Sequence, residues 1–106
     1  MLRVNITHAF DSDLDISLTS PDGTQRFAAI GAGADGQNFT NTRFRDGAAT
    51  AIADGTAPFN GEFKPEQGFG AFNGEFAIGI WRLTIDDLGE EDTGVLRGYS
   101  LAICAD

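Results

Sequence analysis

Strict two-residue alternation of apolar and polar side chains is the feature that most limits what this chain can fold into. Leu2, Val4 and Ile6 alternate with Arg3, Asn5 and Thr7, and Leu14, Ile16 and Leu18 alternate with Asp13, Asp15 and Ser17. Successive side chains of an extended strand point to opposite faces, so this period describes two strands that each bury one face. The SPDGT run at 20–24 follows as a turn. Pro21 presets φ for the first corner, Asp22 can bond the main chain two residues on, and Gly23 accepts a positive φ. Gln25–Ile30 is expected to return beside the second strand. Further strands are expected at Phe39–Phe44, at 79–86, where Trp81, Leu83 and Ile85 share a face, and at 95–104, where Tyr99, Leu101 and Ile103 do. Short strands separated by turn signals predict an all-β fold, a jelly-roll β-sandwich of antiparallel strands. Its core is expected to hold Leu14, Ile16, Leu18, Trp81, Leu83, Ile85, Leu101 and Ile103.

With 106 residues the chain is expected to form one domain over 1–106, because a second core would leave too little buried surface for either. Seven basic against sixteen acidic residues give a net charge of −9. An acidic surface without a Lys/Arg cluster repels phosphate backbones and anionic headgroups, which argues against nucleic acid and membrane surfaces and for calcium-like cations. No apolar run approaches the roughly 20 residues that span a bilayer, and MLRVNITHAF at the start is no signal peptide, so an export signal is expected outside this chain. Cys104 stands alone, which excludes an intrachain disulfide and a thiolate zinc site.

The middle of the chain loses the alternation. Across 31–36 and 54–74, Gly, Ala and Phe follow one another without a period, over a span too long for plain connection. Phe59, Phe63, Phe69, Phe72 and Phe76 are expected to pin these loops to the core, each burying about 150–250 Å². Bound metal is a second way to order them. Asp35, Asp46 and Asp54 each precede a glycine, and together with glycine-turned carbonyls they form one candidate Ca²⁺ set. The same Asp-Gly pairs are also ordinary turn formers, so both readings stand. A second acidic concentration, Asp86, Asp87, Glu90, Glu91 and Asp92, invites a hard divalent cation to offset mutual repulsion or else forms a solvated turn. Asp11, Asp13 and Asp15 imitate an EF-hand loop, but its sixth position holds Ile16 instead of Gly, and on a strand the three carboxylates would point to one solvent face. Nothing assembles a catalytic constellation. His8 is the sole imidazole, no Gly-x-Ser-x-Gly elbow exists, and Asp86 and Asp87, adjacent on a strand, point apart.

One set of motifs is specific. NITHAFDSDLDISLTSPDGT at 5–24, DGQNFTNTRF at 35–44 with IADGTAPF at 52–59, FNGE at 72–75 followed by GIWRLTID at 79–86, and EDTG at 91–94 before Leu96 and YSLAI at 99–103 occur in collinear order. Together they resemble the P domain of proprotein convertases, in its bacterial form with longer middle loops. The resemblance implies a jelly-roll sandwich that accompanies a secreted protease, commonly beside a subtilisin-like serine protease domain, without being the catalyst. It implies a stabilising or fold-assisting role for the neighbouring domain, and calcium in bacterial members. It also implies a further strand or two upstream of Leu2, a more acidic sequence where Arg45-Asp46-Gly47 stands, and Trp where Tyr99 stands. On the family pattern Asp13, Asp86 and Asp92 are expected to share a Ca²⁺ at one end of the sandwich, and His8 is expected to be structural, bonded to a nearby loop.

The function expected is therefore that of a non-catalytic, calcium-assisted accessory domain of a secreted, bacterial protease, with the catalytic domain of the same parent chain as partner. Exposed Phe residues among 59–76 are the expected docking face. The competing expectation is a jelly-roll module that attaches an exported enzyme to a protein or carbohydrate substrate. That reading wants an exposed aromatic platform, and the chain has one Trp and one Tyr. A standalone enzyme is the third reading.

Overall fold

The alternating segments form strands where their period places them. The computed structural model describes residues 1–75, 78–89 and 94–102. Its strands are β1 (Leu2–His8), β2 (Leu14–Thr19), β3 (Gln25–Ile30), β4 (Phe39–Phe44), β5 (Gly61–Phe63), β6 (Arg82–Asp87) and β7 (Gly94–Leu101). They build two sheets, ordered β5-β4-β1-β7 and β3-β2-β6. All pairs are antiparallel except β4–β5, which is parallel and three residues long. The chain passes between the sheets from β1 to β2, β3 to β4, β5 to β6 and β6 to β7, so strands distant in sequence become neighbours. This is an all-β sandwich, as expected.

Alternation explains the core directly. Leu2, Val4 and Ile6 of β1 face Leu14, Ile16 and Leu18 of β2, and all six are buried in one cluster with Ala28, Ala29, Phe39, Phe44, Ile52 and Phe59. Trp81, Leu83, Ile85 and Leu101, expected inside, are only partly buried against that cluster, and Ile103 lies outside the described residues. The reason is positional. Among the described residues β6 is the last strand of its sheet and β7 the last strand of the other, so the inward faces of both lack a described neighbour on one side.

The unpatterned middle closes the opposite side. Phe59 stacks on Phe39 with ring centroids 5.0 Å apart and meets the edge of Phe63 at 5.6 Å. Ile52, on a single 3-10 turn at Ile52–Asp54, is buried beside them. Glu66 and Gln67 donate their amides to Ala28 and Phe27 carbonyls, and Gln67 Oε1 accepts the Phe27 amide, which covers the outer edge of β3. The expectation that these phenylalanines pin the loops is met for Phe59, Phe63, Phe69 and Phe72, whereas Phe76 lies outside the described residues. Being packed inward, they are not the exposed docking face expected of them. β1 and β7 also bring residues 1 and 102 side by side, joined by reciprocal bonds of 2.9 Å between Met1 and Ala102.

Candidate functional site

Three polar arrangements sit on this frame, and the first concerns His8. It ends β1 on the inward face and is buried, so both ring nitrogens need partners. The Phe10 amide donates to Nδ1 at 3.0 Å, which leaves the ring proton on Nε2, and Nε2 donates to Asp87 Oδ2 at 2.8 Å. The Asn38 side chain accepts the His8 amide at 3.0 Å. The His8 bond, followed by that from the Gly89 amide, holds the Asp87 carboxyl below its ordinary range. With one nitrogen capped by main chain and the other donating, the imidazole has no lone pair to take a proton from a substrate. It ties β1 to the end of β6 and to the turn after it. That is the structural role expected of His8.

Above this pair lies a cavity of about 340 Å³ between the sheets, lined by Ile6, Leu14, Leu83, Ile85, Val95 and Leu96 as well as by His8 and Asp87. It is the gap between the two end strands. The apolar side chains along this margin remain open to solvent, with Leu96 42% and Tyr99 60% exposed, and Ile80 at 82% and Ile78 at 93% just before β6. Among the described residues no main-chain bond reaches the outer edge of β6.

The second arrangement concerns the expected metal ligands. Asp13 lies against the turn after β6: its carbonyl accepts the Leu88 amide at 2.8 Å, and a Cβ on Gly89 would fall within 2.0 Å of its carboxylate. Asp86 sits opposite Asp15 across β6 and β2 and is exposed, and Asp92 lies outside the described residues. Asp35 and Asp54 occupy exposed turns. Asp46 accepts the Phe69 and Gly70 amides at 2.7 and 2.8 Å, so its carboxylate caps the 3-10 turn at Phe69–Phe72. Among the described residues no three His, Asp or Glu side chains gather closely enough to hold a metal ion.

The third is Asp11, which the alternation misplaces. Instead of pointing to solvent from a strand, it opens a 3-10 turn at Asp11–Asp13 and is 0% exposed. Its amide donates to the Gly36 carbonyl at 2.9 Å, which draws the side chain under the loop at 31–38. Gly33, at φ +100°, crosses so close that a Cβ there would sit 2.9 Å from Asp11 Cβ and 3.0 Å from the Phe59 ring. Neither carboxylate oxygen has a hydrogen-bond partner among the described residues. Burial pushes the carboxyl up to about 7, against a weaker opposing pull from the nearby Asn38 amide, whose own bond goes to the His8 carbonyl at 3.1 Å, and from the His8 ring. A hard cation needs oxygen donors that are not already committed. Both Asp46 oxygens are already accepting bonds; those of Asp11 meet the requirement. The only forewarning in the sequence is the crowding of Gly31, Gly33 and Gly36 into one short loop.

No curated protein and no solved structure gives a match to this chain. A family model does: the proprotein convertase P-domain matches residues 1–103. That match runs through β1 with His8, the SPDGT turn, β6 and β7, the segments whose packing is described above. The chain belongs to the proprotein convertase P-domain family, whose members are non-catalytic accessory domains of proteases.

Proposed function

We propose that this chain braces the catalytic domain of a secreted, subtilisin-like serine protease in the same parent protein, with Ca²⁺ assisting its own stability. The open margin along β6 and β7 carries the reading. Leu96 and Tyr99 expose apolar surface beside a strand edge that is unpaired among the described residues, and Ile78 and Ile80 do so just before β6, a combination that isolated proteins avoid and that contact with a neighbouring domain would cover. The engaged ring of His8 agrees with a role outside the chemistry. An attachment module for carbohydrate is less well supported, because Trp81 packs edge-on against Phe72 with centroids 5.2 Å apart instead of presenting a flat face.

Deleting the domain is expected to shorten the heat-inactivation half-life of the parent enzyme or lower its folding yield while leaving the chemistry of surviving molecules intact. Replacing Leu96 and Tyr99 together by Ser should reproduce part of that loss. Unchanged inactivation kinetics in both variants would overturn the bracing role, and retention of the isolated domain on insoluble substrate would favour attachment.

A further inference from the structure

Most carboxylates of this chain lie on its surface, where water meets their needs. Asp11 does not. It is fully buried, both oxygens lack partners among the described residues, and the loop at 31–38 closes over it. Leaving a charged carboxylate in that position is strongly unfavourable in proteins that have no compensating group. Protonation removes the charge but still leaves a hydroxyl and a carbonyl oxygen to be satisfied. An unpaired buried group of this kind commonly marks an ion or a water.

We propose that Asp11 anchors a Ca²⁺ site whose remaining ligands are main-chain carbonyl oxygens of the loop at 31–38 other than those of Gly33 and Gly36, which already accept the Gly36 and Asp11 amides. Four residues of that loop, Gly31, Gly33, Ala34 and Asn38, have φ between 47° and 100°. Two of them are not glycine, so the loop holds a conformation that side chains resist. A cation beneath it would add a constraint to that conformation. The ion is calcium in preference to magnesium. A single carboxylate among peptide carbonyls makes an irregular, water-poor set that calcium accepts with six to eight ligands, whereas magnesium holds to an octahedron and keeps its waters. One carboxylate also places the affinity at the weak end of such sites, with a Kd of about 10⁻⁴–10⁻³ M.

This inference rests on the calcium-assisted reading above and moves its location from the expected aspartates to Asp11. Melting of the full 106-residue chain in EDTA and in 10 mM Ca²⁺ tests it, together with Asp11→Asn, which keeps the shape and removes the charge. Wild type is expected to gain about 6–12 °C with calcium, as that Kd implies at 10 mM, and less with 10 mM Mg²⁺. The Asn variant should gain nothing from calcium and melt in EDTA no lower than wild type. If the variant keeps the full calcium gain, the Asp11 site is wrong while calcium assistance stands elsewhere; if wild type gains nothing, both fail. Magnesium acting as well as calcium would also overturn the assignment. A second readout needs no variant: during a Ca²⁺ titration the amide NMR shifts should centre on Asp11, Gly33, Gly36 and Asn38. Shifts centred on 86–94 instead would place the ion at the other acidic group.

Discussion

The two margins of the sandwich solve the same problem differently. On the β3 and β5 side, sheet ends are covered from within the chain: Phe59 stacks on Phe39, Ile52 fills the corner, and Glu66 and Gln67 bond along β3. On the β6 and β7 side, Leu83 and Ile85 are half covered, and Leu96 and Tyr99 are open. The first margin therefore contributes to the stability of this chain alone. The second stores apolar area that lowers free energy only when something else lies against it. A bracing domain needs both, a margin that keeps its shape and one that yields contact.

The contrast makes unequal demands on substitutions at the two margins, measurable by urea unfolding. Phe59→Ala should be the most damaging, at about 3–5 kcal/mol, since the ring is fully enclosed between Phe39, Phe63 and the Gly33 crossing. Asp46→Ala removes the cap from the Phe69–Phe72 turn and should cost about 1 kcal/mol, which tests whether the closed margin also depends on polar anchors. Leu96→Ala, across the molecule, should cost less than about 1 kcal/mol in the isolated chain, because its side chain is already largely in water. Equal losses for Phe59→Ala and Leu96→Ala would abolish the distinction between the margins.

The smallest effect is a change in acid sensitivity. Glu75 accepts the Ser20 and Thr24 hydroxyls at 2.5 Å each, and these bonds lower its carboxyl from the ordinary 4.5. Folding thus favours the ionised form, so this contribution is present above about pH 4.5 and disappears as the pH falls through the lower folded value. Glu75→Gln should flatten that acid limb by lowering the urea midpoint slightly at pH 7 while leaving it nearly unchanged at the acid end, where the wild-type carboxylate is already protonated. An unaltered acid limb would show that the SPDGT turn does not depend on the carboxylate.

How far these features could be read beforehand depended on whether a single physical rule governed the residue. β3 and β4 have the expected bounds because strict alternation and flanking turns act together. β6 begins three residues later than expected, because Gly79, at φ +142° and packed on Pro21, cannot continue a regular strand. β5 escaped notice: three residues, Gly-Glu-Phe, are too few to show a period, and a parallel partner leaves no turn signal. The phenylalanines of the middle loops were legible as anchors, but not which face they would seek, since only tertiary contact decides that. Asp11 misled for the opposite reason. It continues the alternation of β2 by one step too many, and nothing local reveals that the chain has curled into a turn beneath a distant glycine loop.

The pairing of Met1 with Ala102 has a mechanical consequence. β1 and β7 are antiparallel neighbours whose outer ends meet at that point. A pull applied at both would load the ladder one bond at a time, opening it from Leu2 and Leu101 toward His8 and Gly94 like a zip, instead of shearing all of it at once. Tension carried through both ends would therefore open the sandwich at low force, and would first expose the buried side of β1.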